Sequence, residues 1–494
     1  MQKKIPIFYS ALLLTGVNLT LRFASTSFQV YISGRIGAAG VGLLQLVLSV
    51  GALCLTAGIA GARTATMYLT AEELGKKRPQ NVHWVLGACF LYSIAISGTV
   101  SLLLHRFAPW IASRWIGDAR TVRAIRLFAC FLPISCLCGV MTGYFTAANR
   151  IGTLAAVEIG EQLVSMGSTM SLLVFWAGSD PAKSCESVVL GSGIGGVFTL
   201  LCLLFLRCRE HAPTGPRIPV RRRLLETAVP LALADDLKSG ISTAENLMVP
   251  KRLALYPGSM DPLADFGRVC GMVFPLLMFP ACILFSLAEL LIPELARCAA
   301  AGSHRRIRYL AGRSLRIALF YGLMSGGILF LTAEDLCMTF YKSQTAGQYL
   351  QLYALLVPML YCDILTDAMT KGLGQQKICV RYNIITASMD VMLLFLLLPG
   401  YGMAGYFFSF TVTHFINLLL SLRRLIKIAG KVFPFGIALP AVAATVLAVL
   451  GANFLSAPLL RCGSFLLLLG SLWVLFQVVD GEDLTWLQGL LHKK

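Results

Sequence analysis

The sequence predicts an all-α polytopic membrane protein of about fourteen transmembrane helices, set as two pseudo-symmetric six-helix bundles with two further helices at the C-terminal end. Three observations predict it. Of 494 residues, 57% are hydrophobic and only 13% charged, and the mean hydropathy is +0.74; a soluble chain of this length needs far more polar surface. Apolar runs of ~20 residues, the length that crosses a ~30 Å hydrocarbon core, recur along the whole chain. Two polar-patterned stretches 216 positions apart also align without a gap.

Taken in order, spans are expected at 5–33, 41–65, 83–105, 126–146, 152–177 and 187–207, making a first bundle within 1–208. Lys3 and Lys4 precede the first span as they would in a signal peptide, but the apolar run is too long and lacks a small-residue cleavage site, so it is expected to remain. The stretch from Arg207 to Arg223 has three prolines, one glycine and six arginines, which makes 209–223 a basic cytoplasmic linker. Spans at 224–249, 267–292, 314–332, 348–369, 379–398 and 403–421 form the second bundle within 224–422. The remainder, 423–494, holds spans at 433–455 and 462–479 and a short amphipathic tail. Pro133, Pro230, Pro275, Pro280 and Pro358 fall inside spans, where each removes a backbone hydrogen bond and bends the helix, as a hinge or as a static kink.

A formal charge of +18 invites a nucleic-acid partner, but its distribution excludes one. More than twice as many Lys and Arg fall in the loops of one side as in those of the other, the asymmetry that orients a protein in the cytoplasmic membrane with both termini inside. One outer loop departs from this. Arg106, Arg114, Arg120, Arg123 and Arg126 interleave with Trp110 and Trp115, which predicts a helix at the outer headgroup level. The 15 cysteines contain no C-x-x-C pair; even Cys136 and Cys138 have no histidine near enough for a zinc site, so they read as small apolar fillers. No phosphate-binding G-x-x-x-x-G-K-[ST] loop occurs, and the glycines of 191–196 suit close helix packing. No nucleophile accompanies the carboxylates, so neither an enzyme nor a cofactor is expected.

The function-bearing pattern is a stripe of polar groups in the first span. Asn18, Arg22, Ser25 and Gln29 recur at steps of four, three and four, so they share one helical face. A charge at the centre of a membrane helix costs about 2.5–3.5 kcal/mol, and such residues normally face a wet cavity. Aligning Leu21-Arg22 with Leu237-Lys238 brings Thr26 onto Ser242, Gln29 onto Glu245 and Arg35 onto Lys251, which is a parallel repeat. Arg22 and Lys238 stand 13 residues before Arg35 and Lys251, hence ~20 Å from those helix ends. With Arg63 of the second span they would make a basic chamber for an anionic head group, since guanidinium forks suit phosphate oxygens. Two alternatives stay open: a helical salt bridge from Lys238 to Asp235, and snorkelling of Arg63 to the inner headgroups. Acids form a second set. Glu158 and Glu161 share a face with Gln162 and Ser165, Asp363 and Asp367 share one with Thr370, and Asp390 stands alone. They either bind a coupling cation, sodium or proton, or merely neutralise nearby cations; membrane potential alone is a further driving force. His414 reads as a packed histidine.

Val249-Pro250-Lys251-Arg252-Leu253 resembles the signature of the stage V sporulation protein B family, as do Gly271-Met272, Phe279-Pro280, Ile292-Pro293-Glu294 and Lys371-Gly372-Leu373-Gly374. Gly61, Ala65, Ala71 and Glu72 resemble the family's close of span two, although Arg63 stands where proline is commoner. The resemblance implies a flippase for lipid-linked oligosaccharides, within the superfamily that also holds multidrug exporters and lipid II flippases. Together with the polar stripe it gives a polyprenyl pyrophosphate substrate bound by Arg22, Lys238, Arg63, Asn18, Gln29 and Glu245, with membrane lipids as partners; the oligomeric state is not read from the sequence, a monomer being the expectation. A cation-coupled multidrug exporter is the first rival, and it would need a net acidic chamber. A non-transporting scaffold for wall synthesis is the second.

Overall fold

The structure is a computed structural model that describes residues 7–76, 78–178, 180–209, 220–433, 435–455 and 457–478; the side chains of 7–15, 17–19, 22, 151, 230, 231, 234 and 435 are outside the description. Among the described residues every regular element is helical. The α-helices run in the order α1 (Ile7–Ile59), α2 (Ala62–Gly75), α3 (Val82–Trp110), α4 (Val122–Ala147), α5 (Ile151–Leu172), α6 (Pro181–Cys208) and α7 (Arg221–Leu253). They continue as α8 (Pro262–Gly267), α9 (Phe274–Met278), α10 (Cys282–Ala300), α11 (His304–Tyr341), α12 (Gln344–Ala354) and α13 (Val357–Gly372). The last three are α14 (Gln376–Ala429), α15 (Phe435–Ala452) and α16 (Pro458–Leu475).

Two of these helices contain a break that carries the chain from one expected span straight into the next. In α1 it is Gly37, at φ 79° and ψ 169°; in α14 it is Gly402, at φ 56° and ψ −137°. Only glycine takes these angles without a steric penalty. By length and apolar content, seven described helices can cross a membrane, and nine if two bent pairs each count as one span. Those pairs are Pro262–Met278 with Cys282–Ala300, bent by 64°, and Gln344–Ala354 with Val357–Gly372, bent by 58°. This count enters α1 and α14 once each, and it leaves out α5 and α7, which carry Glu158, Glu161, Asp235, Asp236, Lys238 and Glu245.

The chain packs as two compact units. The first holds the described residues up to Phe28 together with Arg35–Gly267 and Leu394–Gly402, so α7 lies in it. Its core joins α2, α3, α4, α6 and the start of α7 through Ala65, Leu69, Val85, Cys89, Val140, Phe145, Leu203, Leu224 and Ala228. Backbones meet there because glycine leaves room: a Cβ on Gly143 would lie 2.4 Å from the Arg63 carbonyl oxygen, and one on Gly61 would lie 2.4 Å from that of Ala228. The glycine run of α6 packs closely as expected, with Gly191 against Thr169 and Gly193 against the Phe131 ring.

The second unit holds Gln29–Gly34, Arg268–Leu393 and the described residues from Met403 onward. The outermost pair, α15 and α16, packs on α11 through Leu331, Ala448, Ala452, Phe465 and Leu469, with the Phe465 ring over Gly327. The bend between α9 and α10 is held by side-chain donors. Pro275 has no N–H to offer the carbonyl of Gly271, and Ser33 Oγ donates to that oxygen instead at 2.8 Å. Nearby, Tyr341, Tyr361 and Tyr321 donate to the carbonyls of Met272, Leu277 and Pro280 at 3.2, 3.1 and 2.8 Å. Such replacement donors are what make a broken helix tolerable at membrane depth. Pro133, by contrast, sits inside an unbroken α4.

Candidate functional site

In the first unit α7 is pinned to the part of α1 that follows Gly37. Thr243 Oγ1 donates to the Ser49 carbonyl at 3.0 Å, and Asn246 Nδ2 donates to Ser49 Oγ at 3.0 Å. The stripe predicted on α7 lies beside this seam. Lys238 and Ser242 are exposed, and Glu245 is half-buried and engaged. Among the described residues Lys238 has no ion-pair partner, so the salt bridge to Asp235 does not form and the ammonium stays available. The side chains of Asn18 and Arg22 lie outside the described residues, while the backbone around them is α-helical as expected. Gln29 is half-buried and leaves a buried Nε2 without a hydrogen-bond partner.

Sequence reasoning missed Asp236. One of its carboxylate oxygens is buried without a hydrogen-bond partner, and the group lies within electrostatic reach of Tyr92. The Tyr92 hydroxyl itself donates at 3.0 Å to the carbonyl of Ala60, at the break between α1 and α2 where Ala60 and Gly61 have φ of 42° and 72°. The signal was present as two adjacent acids inside an apolar span.

Arg63 is exposed near the start of α2 and acts electrostatically on the half-buried Glu158 of α5, beyond ion-pair distance. Glu161, one turn on, accepts from Thr199 Oγ1 at 2.7 Å.

The acids of the second unit divide into two kinds. Asp367 pairs with Lys371 at 2.5 Å, one helical turn away. Asp363 and Asp390 instead meet neutral donors on the part of α14 after Gly402. Asp390 accepts from Ser409 at 2.5 Å and Thr413 at 3.3 Å; Asp363 accepts from Asn417 Nδ2 at 3.1 and 3.0 Å, with His414 Nδ1 4.0 Å away. Ser409, Thr413 and Asn417 recur at steps of four, so one helical face serves both carboxylates. His414 Nδ1 and Asn417 Oδ1 are buried with no hydrogen-bond partner among the described residues, and the His414 ring packs at a tilt against Phe410, centroids 4.2 Å apart. Among the described residues no Lys or Arg lies within ion-pair distance of either carboxylate, which sets them apart from Asp367.

The basic stretch after span three is not a separate helix: Arg106 lies on α3, Arg114 in the π-turn that extends it, Arg120 in a 3-10 turn over Ala119–Thr121, and Arg123 and Arg126 on α4. The π-turn covers Ile111–Ile116 and leads to Gly117 at φ 87°. Trp110 and Trp115 meet edge to face at 5.5 Å, and Arg120 pairs with Asp118 at 2.7 Å.

The family model described as lipid II flippase MurJ matches residues 72–469. The chain belongs to the MurJ family. Stage V sporulation protein B of Bacillus subtilis (strain 168) is 22% identical over 484 residues, covering 92% of this chain and 89% of that one, in keeping with the resemblance read from the motifs. Among solved structures, a lipid II flippase MurJ in an inward closed conformation superposes with a TM-score of 0.71 at 12% identity, over 96% of this chain and 100% of its own. An inward-facing multidrug resistance MATE transporter of the MOP superfamily reaches 0.67 at 13% identity, over 84% and 98%. The MurJ-family chain is therefore a multi-pass helical membrane protein with the fold these transporters share.

Proposed function

We propose that this protein flips a polyprenyl pyrophosphate-linked sugar precursor of the cell wall or surface polysaccharide across the cytoplasmic membrane by alternating access. The observation that carries the reading is Lys238, an ammonium with no ion-pair partner among the described residues, midway along an α-helix of a lipid II flippase family member. In this reading Arg22, Lys238 and Arg63 hold the pyrophosphate, and Asn18, Gln29 and Glu245 meet the polar head group. The protein acts as a carrier with both termini cytoplasmic, a reading supported by the clusters Arg221, Arg222 and Arg223 at the start of α7 and Arg305, Arg306 and Arg308 at the start of α11.

Proteoliposomes loaded with labelled lipid II test it. Protein-dependent appearance of the head group on the opposite face is expected, with no efflux of organic cations. Vesicles that export ethidium and leave lipid II in place would reject the reading in favour of a drug exporter. Asp390 and Asp363 are the coupling groups in this scheme. Asp390→Asn is expected to lose about tenfold of the rate stimulated by a proton or sodium gradient while slow uncoupled exchange persists. Full stimulation in both D390N and D363N removes the two carboxylates from coupling.

A further inference from the structure

The C-terminal end of α7 presents two cations at the mouth of an apolar cavity. The cavity, about 410 Å³, follows α7 from Gly240 to Arg252 and is closed by Leu53 of α1 and the Trp115 ring. That length of helix is ~18 Å, slightly more than one leaflet of a ~30 Å hydrocarbon core. A neighbouring cavity of about 610 Å³ lies on the other side of Leu53 and Trp115, under Arg106 and Trp110.

At the mouth, Lys251 Nζ donates to the carbonyl of Arg114. The Arg252 guanidinium donates to the carbonyl of Phe395 at 2.7 and 3.1 Å and lies 3.7 Å over that ring. Both cations therefore meet carbonyl oxygens and an aromatic face, and among the described residues neither meets a carboxylate within ion-pair distance. The tryptophan pair marks the headgroup level, where such rings concentrate.

A free phosphate would satisfy the cations and leave the slot empty. A neutral lipid would fill the slot and leave the charges bare. One molecule answers both demands, having a phosphate at its head and a chain one leaflet deep. We propose that the Lys251–Arg252 end of α7 binds the phosphate of an anionic glycerophospholipid, whose chain lies along residues 240–248 beneath Trp115. The site is separate from the substrate chamber, since Lys238 stands 13 residues, or ~20 Å, further along α7. It is also independent of what the protein transports.

Native mass spectrometry of the full chain in neutral detergent, with phosphatidylglycerol or phosphatidylcholine added, tests the site. Preferential retention of phosphatidylglycerol is expected, and K251Q/R252Q should weaken it by about tenfold. K251R/R252K keeps the charges and should retain the lipid. Ala244→Trp fills the slot, leaves both cations in place and should also lose it, with monodisperse elution and an unchanged melting temperature as the check on folding. Equal retention of phosphatidylcholine, or undiminished retention by K251Q/R252Q, overturns the proposal. Displacement of the lipid by millimolar inorganic phosphate also overturns it, by making the site one for free phosphate. Because no transport is measured, failure here leaves the flippase reading where it stood.

Discussion

Arg22→Ala is expected to abolish movement of the lipid-linked precursor, and Lys238→Ala to slow it by about tenfold, in vesicles where both variants insert normally. A charge-assisted hydrogen bond to phosphate is worth about 1.5–3 kcal/mol, so each lost contact costs roughly ten- to a hundredfold in binding. Arg22 is expected to carry the larger share because a guanidinium fork can take two oxygens at once, whereas Lys238 offers a point charge. Arg22→Lys should accordingly keep part of the rate. A second measurement separates function from folding. An arginine deep in a span costs about 2.5–3.5 kcal/mol unless an anion or water compensates it. Removing it should leave the melting temperature of the empty protein unchanged or higher while transport is lost. Normal transport by R22A removes Arg22 from the mechanism, and a collapse of stability in R22A makes its role structural. The exposed, unpaired state of Lys238 makes its substitution equally benign for the fold.

Much of this was legible in the sequence because apolar length and helical period are local properties. The polytopic helical class and the glycine packing of α6 follow from runs and spacings alone, whereas length and apolar content give seven or nine spans among the described residues where fourteen are expected. Which group meets which across a helix pair does not follow from spacing. Asp390 looks solitary in its span, yet its partners Ser409 and Thr413 lie 19 and 23 residues on, brought opposite by the break at Gly402. Asp363 and Asp367 look equivalent, one turn apart, until Lys371 neutralises the second and Asn417 meets the first. On a helical wheel Asp235, three residues before Lys238, is the partner the spacing suggests, and Asp236 carries no such signal. Neither acid takes that role; one Asp236 oxygen is buried and unpaired instead. Alternating arginine and tryptophan predicts a separate helix after span three, but the π-turn that extends α3 stops at Gly117 and a 3-10 turn over Ala119–Thr121 leads directly into α4.

The other large effect is expected at the opposite end of α7, where no span-based reading would place it. Glu73, 2% exposed near the end of α2, accepts from Arg223 Nη1 at 3.0 Å and from Asn81 Nδ2 at 2.8 Å. Arg223 also pairs with Glu72, which holds Lys76 as well. Burial alone would raise the Glu73 carboxyl, but the bonds from Asn81 and Arg223 outweigh it and leave it below its ordinary value of 4.5. Arg223→Ala strands a buried carboxylate with a single amide donor. A fully buried pair would lose more, but Arg223 is about a third exposed, so the expected cost is about 1–2 kcal/mol. E73Q/R223A should recover part of that loss, since a neutral amide tolerates the site better than an unpaired charge, and the cycle isolates the coupling. The pH dependence has a definite sign. A carboxyl lowered by folding stabilises fully above its unfolded value and loses that contribution as pH falls through its folded one. The wild-type melting temperature should therefore fall as pH drops below about 4.5, and this acid-side fall should be shallower in E73Q, which has no carboxyl to titrate there. Equal melting temperatures for wild type and R223A at neutral pH would show that the seam between α2 and α7 is held by the apolar contact at Gly61 and Ala228 instead.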